Sequence, residues 1–210
     1  MIEIRPLHRC NAVVTIPGSK SYTHRALILS SLGDGESVLI NALRCEDTER
    51  TAEALIQFGV QVSWEGDHIR VLGTGGSFKV SNERIDVGNS GASMRFLTAL
   101  AALRKGITLL DGSERMRKRP IGELLNGLEG LGVKAYSKKG DGCPPVMVES
   151  QGLKGGAARI KGEESSQFLT GLLMVAPYAQ EDVNIEVMGS LASKPYVDIT
   201  RDVMSAFGVV

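Results

Sequence analysis

Phe58-Gly59-Val60 closes a helical pattern, and the same signal returns at Leu131-Gly132-Val133 and at Phe207-Gly208-Val209, about 75 residues apart each time. Self-similarity at a fixed period marks a duplicated unit. Ahead of the triplets, apolar residues fall at helical spacing: Ala52, Leu55 and Ile56; then Ile121, Leu124, Leu125 and Leu128; then Ile199, Val203 and Phe207. The glycine suits the position just past a helix, where the backbone turns left-handed, and the valine after it opens a strand.

Upstream in each unit a second helix starts in a small, polar run: Ser19-Lys20-Ser21, Gly88-Asn89-Ser90-Gly91-Ala92-Ser93, and Glu164-Ser165-Ser166-Gln167. A strand candidate follows each of these helices, at Ser37–Ile40, Ile107–Leu110 and Val183–Val187. Two more follow the first two triplets, at Gln61–Trp64 with His68–Val71, and at Val133–Tyr136 with Val146–Val148. The order is strand, helix, strand, helix, strand, strand. Units span about 13–72, 83–150 and 156–210, and the third stops at Val210 where its last two strands are due, so the chain reads as a truncated piece. Three such units predict one α/β domain of βαβαββ repeats, two complete and one truncated, with helices in the interior or on one face of the sheets. The polar helix starts converge on one end in such an arrangement, which pools their positive dipole ends for an anionic ligand.

The first of those starts carries the most chemistry. Pro17-Gly18-Ser19-Lys20-Ser21-Tyr22-Thr23-His24-Arg25 runs into the apolar stretch Ala26–Leu32. Gly18 lets backbone approach a ligand, Ser19 or Ser21 can cap the helix, and Lys20 and Arg25 add full charges. The spacing is not that of a Walker A loop, so the segment points to a small phosphate or carboxylate rather than to a nucleotide held that way.

Bulk properties narrow the field. With 210 residues, 42% hydrophobic content and zero formal charge, the chain is expected to bury a real core, and nothing suggests nucleic acid or an anionic membrane as its main partner. No apolar run approaches the roughly 20 residues of a membrane span, and the amino terminus lacks a signal-peptide core, so a cytoplasmic location is expected. Cys10, Cys45 and Cys143 are far apart and odd in number, which suggests neither a disulfide framework nor a zinc site. Cys143 sits in a Gly- and Pro-rich loop without a patterned base and reads as an inert thiol.

Five motifs occur in order: Pro17-Gly18-Ser19-Lys20-Ser21 with Arg25; Gly88-Asn89-Ser90-Gly91 with Met94-Arg95; Arg115-Met116-Arg117-Lys118-Arg119-Pro120-Ile121; Ser165-Ser166-Gln167-Phe168; and Ser193-Lys194-Pro195-Tyr196. Together they resemble the amino-terminal half of the 5-enolpyruvylshikimate-3-phosphate synthases. The resemblance implies two similar domains of three βαβαββ units each, closing over substrates, of which this sequence supplies most of the first. It implies transfer of the enolpyruvyl group of phosphoenolpyruvate to the 5-hydroxyl of shikimate 3-phosphate with release of phosphate, and neither a cofactor nor an obligatory metal.

Residue by residue, Lys20 is similar to the lysine that touches both substrates, while Ser21 and Arg25 correspond to groups that hold the ring hydroxyls and carboxylate. Ser165, Ser166 and Ser193 resemble the hydroxyls around the 3-phosphate, Gln167 the residue bridging the two ligands, and Tyr196 lies beside them. Gly91 and Arg115 resemble the phosphoenolpyruvate contacts. Gly91 with small neighbours resembles the glyphosate-sensitive kind, although Ser90 and Ala92 depart from the commonest pattern and Phe96 stands where many members carry proline. Arg119 reads as a structural or surface charge, Arg95 as a group paired within the domain, and His24 as structural. The main acid–base carboxylates of the resembled family lie in the other domain; on this half Asp47 is the one acidic candidate beside a motif, and neither it nor Glu46 is assigned as the base. The resemblance therefore predicts an inactive half that needs its missing carboxy-terminal domain. Alternatives are an isolated ligand-binding domain without catalysis, and UDP-N-acetylglucosamine enolpyruvyl transferase. That last family has Gly-Ala-Lys-Asn where this chain has Gly18-Ser19-Lys20-Ser21, and a reactive loop cysteine with no counterpart near Arg115.

Overall fold

The structure is a computed structural model and describes residue 6 and residues 9–79 and 84–209. In chain order it runs α1 (Lys20–Leu32), β1 (Glu36–Leu39), α2 (Glu46–Gln57), β2 (Gln61–Glu65), β3 (His68–Leu72), β4 (Arg84–Asp86), α3 (Gly91–Ala101), β5 (Gly106–Asp111), α4 (Gly122–Gly130), β6 (Lys134–Ser137), β7 (Val146–Ser150), β8 (Gly156–Lys161), α5 (Ser166–Val175), β9 (Val183–Met188) and α6 (Pro195–Ala206). Single 3₁₀ turns sit at Met116–Lys118 and Ala176–Tyr178.

The three triplets stop their helices in the same way. Gly59, Gly132 and Gly208 take φ of +86°, +81° and +81°. Behind each, the glycine N–H donates to Ile56, Glu129 or Ser205 C=O, and the valine N–H to Leu55, Leu128 or Met204 C=O. This doubly hydrogen-bonded left-handed stop satisfies carbonyls that the helix end leaves open.

The sheets are one pattern at three degrees of completion. The central one has the order β4-β5-β7-β6, with β4 parallel to β5 and the remaining pairs antiparallel. The first unit's sheet, β1-β3-β2, repeats the last three positions with all pairs antiparallel, and the third unit's sheet, β8-β9, repeats the first parallel pair. Among the described residues the opening strand expected near residue 13 is missing. Backbone 9–19 is irregular there, with Val13, Val14 and Ile16 exposed, because no neighbouring strand among the described residues pairs with it. The third unit shows no strand after α6 up to Val209.

Of the two placements open to the helices, α1, α3 and α5 take the interior, while α2, α4 and α6 bury one stripe and keep the rest at the surface. Ten of the eleven residues of α3 and eight of the ten of α5 are buried, which is why these segments show small and apolar residues all round rather than one stripe. Leu27, Ile28, Phe96, Leu97, Phe168 and Leu172 are essentially inaccessible, each contributing about 2 kcal/mol of apolar burial. Gly171 lets α5 approach α3 closely, since a Cβ there would lie 3.3 Å from Ala99 Cβ. The ring of units is closed by the Tyr178 hydroxyl, which donates to Leu32 C=O, and by Arg25 Nε, which donates to Thr200 Oγ1 (2.8 Å). Among the described residues no helix is long and apolar enough to cross a membrane.

Candidate functional site

The six α-helices of the described residues direct their amino-terminal ends toward one cavity of about 150 Å³. From α1 come Lys20, Ser21, His24 and Arg25; from the first turn of α2, Asp47; from the start of α3, Asn89, Gly91 and Ala92. Arg119, just ahead of α4, Gln167 in α5 and Tyr196 in α6 complete the wall. Two of the three polar starts are capped as their sequence suggests: Ser90 accepts from Ser93 N–H and Ser165 from Gln167 N–H. Ser19 occupies the cap position of α1 without a side-chain bond, which leaves that helix start uncapped. Gly18 serves packing rather than a ligand, because a Cβ there would fall 2.0 Å from Asn41 C=O.

Charge in the cavity is lopsided. Lys20 Nζ donates to Asp47 Oδ2 (2.7 Å), and that bond raises the lysine above its usual range. Arg25 is 3% exposed and has no carboxylate partner among the described residues; its donors go to Thr200 Oγ1 (2.8 Å), Ser21 C=O (2.8 Å), Tyr196 C=O (3.0 Å) and Thr170 Oγ1 (3.4 Å). Burial lowers it to about 10, so it stays charged at neutral pH. Arg95, 6% exposed behind the cavity, donates to Gln167 Oε1 (2.9 Å), Gly91 C=O (3.3 Å) and Pro120 C=O (3.2 Å), and burial lowers it also to about 10. It thus orients the glutamine that the motifs single out. Cations outnumber the single acid, Asp47, and a field of that sign at six helix amino termini favours an anion.

His24 links three helices. Its Nδ1 lies 2.8 Å from Thr51 Oγ1, which lies 2.7 Å from Ser93 Oγ, which donates to Ser90 Oγ (2.6 Å). The ring is 1% exposed, and burial lowers its pKa to about 4, so it is neutral. The structural reading of His24 fits this network.

Of the residues singled out by motif, Lys20, Ser21, Arg25, Gly91, Gln167 and Tyr196 meet at the cavity. Ser165, Ser166, Ser193 and Arg115 stand outside its lining: Ser166 is buried in the first turn of α5, Ser193 precedes α6 with φ +54°, and Arg115 is exposed on the loop after β5. Sequence reasoning passed over Asn89 and Ala92, which sit inside a quoted motif. It also read Arg119 as structural or surface charge, whereas the guanidinium lines the cavity against Gly91. Asp47 serves to hold Lys20, a pairing across 27 positions that no local signal announces.

Comparison with known proteins agrees with this geometry. The profile of the family described as EPSP synthase (3-phosphoshikimate 1-carboxyvinyltransferase) matches residues 4–210. A 3-phosphoshikimate 1-carboxyvinyltransferase of Methanospirillum hungatei is 45% identical over 95% of this chain and 47% of its own length. That of Shewanella amazonensis is 44% identical over 99% of this chain and 49% of its own. The chain spans about half the length of these curated relatives. Among solved structures, EPSP synthase from Acinetobacter baumannii superposes with a TM-score of 0.82 at 25% identity, covering 93% of this chain and 43% of that one. On the profile match, the identities and the shared fold, the chain belongs to the EPSP synthase family.

Proposed function

We propose that the chain is the amino-terminal half of a transferase that moves enolpyruvyl from phosphoenolpyruvate to the 5-hydroxyl of shikimate 3-phosphate, releasing phosphate. The observation that carries the reading is the convergence of six helix amino termini and the cations Lys20, Arg25 and Arg119 on one cavity, in a chain of this family. Both substrates are phosphate- and carboxylate-bearing anions. In this reading Arg25 takes the shikimate carboxylate, Ser21 its hydroxyls, and Ser165, Ser166 and Ser193 the 3-phosphate. Lys20 and Gln167 touch both ligands, Tyr196 lies beside them, and Gly91 and Arg115 meet phosphoenolpyruvate. A cavity of about 150 Å³ is below the usual size of a ligand pocket, which suits one wall of a cleft whose other wall is a carboxy-terminal domain. The acid–base carboxylates belong to that second domain, and a cytoplasmic location goes with the same assignment.

Phosphate release from shikimate 3-phosphate plus phosphoenolpyruvate tests the reading, with the chain alone and after addition of the carboxy-terminal half that its relatives carry. Turnover is expected only in the mixture. Turnover by the chain alone would misplace the acid–base groups, and turnover in neither, with no binding of shikimate 3-phosphate, would remove the substrate assignment.

A further inference from the structure

We propose that His24 and Thr51 form a buried rung between α1 and α2 that positions Lys20 and Asp47, the exposed rung one turn nearer the helix starts; the lysine's part in substrate binding rests on the function proposed above. Spacing is the first observation. Lys20 and His24 stand at i and i+4 on α1, and Asp47 and Thr51 at i and i+4 on α2, so each pair stacks along one helix face. Lys20 Nζ donates to Asp47 Oδ2 (2.7 Å), and one turn deeper His24 Nδ1 lies 2.8 Å from Thr51 Oγ1. The outer rung has side chains 52% and 32% exposed, and an ion pair so open to water is too weak to set the spacing of two helices. The inner rung can set it, because His24, Thr51 and Ser93 are all buried, where water cannot take over a lost hydrogen bond.

Proton counting gives the inner rung a direction. Each hydroxyl has one proton to give. Ser93 Oγ donates to Ser90 Oγ (2.6 Å), so in the 2.7 Å contact between them Thr51 donates to Ser93, and the neutral ring must donate to Thr51 from Nδ1–H. His24 is therefore the Nδ1–H tautomer, and Nε2, which has no partner among the described residues, carries a bare lone pair.

The same hydroxyls reach the outer rung. Thr51 Oγ1 and Ser93 Oγ each lie 3.3 Å from Asp47 C=O, as the longer arms of shared bonds. The ring of α1 and the serine of α3 thus meet on the turn of α2 that carries Asp47. Without the inner rung that turn is free to drift, and a lysine on a flexible four-carbon stem loses its place when its carboxylate moves.

The first measurement needs no variant: near neutral pH the ring-nitrogen resonances of His24 are expected to show a protonated Nδ1 and a bare Nε2, and the opposite tautomer would overturn the proposal. The second follows the Lys20 ammonium resonance of the chain, which a held ion pair keeps sharp and which Asp47→Asn abolishes as a control. It is expected to broaden away in Thr51→Val and in His24→Leu and to persist in His24→Asn, whose amide N–H takes the place of Nδ1–H. Where the severed variants fail to fold, Ser93→Ala, which shortens the chain by one hydroxyl, is expected to broaden the signal more weakly. An unchanged Lys20 signal in any folded severed variant would overturn the positioning role. With the carboxy-terminal half added, Thr51→Val is expected to raise KM for both substrates about tenfold, and Lys20→Met is expected to cost less in that background than in the wild type. A variant that is merely less stable would lose kcat and keep both KM values, and that result would also overturn it. No turnover in the wild-type mixture, with the tautomer and Lys20 signals as expected, would fault the substrate reading and leave the two rungs standing.

Discussion

A histidine shut between charged neighbours makes the acid side of the stability curve readable. Burial is the main reason that His24 falls to about 4; the charges of Lys20 and Arg25 push the same way and Asp47 opposes them. In the unfolded chain the same ring titrates near 6.5. Between those values the unfolded state holds a proton that the folded state refuses, so stability is complete above pH 6.5 and is lost as pH falls toward 4. The loss expected from this residue is about 3 kcal/mol. Asp111, held low chiefly by its bond to Arg117, adds a loss in the same direction, but only below the ordinary carboxylate range. Urea unfolding of the wild type and of His24→Gln at pH 4.5, 5.5 and 7 separates the two, with a flatter slope expected in the variant; an equal slope would exclude His24 as the titrating group. At this scale the sequence revealed the residues whose local context is diagnostic, Lys20, Ser21 and Arg25 at a polar helix start. It did not reveal the Lys20–Asp47 pair or the berth of Arg119 on Gly91, because those contacts join distant segments.

At the scale of elements, the three Gly-Val stops differ in what surrounds them, and that difference is measurable. A Cβ on Gly59 would meet Lys79 C=O at 2.8 Å in addition to adopting φ +86°, whereas one on Gly208 at φ +81° would meet nothing within 4 Å. Gly208→Ala is therefore expected to cost only the left-handed strain, about 1 kcal/mol. Gly59→Ala adds a backbone collision and is expected to cost about 2 kcal/mol or more. Denaturant midpoints of the two variants decide it, and equal losses would show that the collision relaxes freely. The stops were legible because their glycines are forced by backbone geometry, and most strands were legible from short β-rich runs bounded by turns. The opening strand of the first unit was not observed where the repeat implied it, since a strand needs a paired neighbour as well as a β-prone sequence. Whether the helices lay inside or on one face was likewise open, because small and apolar residues all round become interpretable only when sheets are seen to surround them.

For the whole molecule, the unequal completion of the three sheets has an energetic consequence. Among the described residues only the central unit shows all four strands, while β8-β9 is a two-stranded sheet and β1 ends the first sheet, with Val38 in it and Ile40 just after it exposed. Two-stranded sheets are marginal by themselves, and open edges recruit further strands from other chains. Val13, Val14 and Ile16 add apolar surface on an irregular segment. The site end is similarly one-sided, with helix amino termini and cations gathered at one cavity. The chain alone is therefore expected to associate with itself in a concentration-dependent way in sedimentation experiments and to unfold at low denaturant. Adding the carboxy-terminal half of the relatives is expected to replace that association with a one-to-one complex of higher midpoint. A strictly monomeric, strongly stable chain would mean that its edges protect themselves, and the second half would then be needed for chemistry alone and not for the integrity of the sheets.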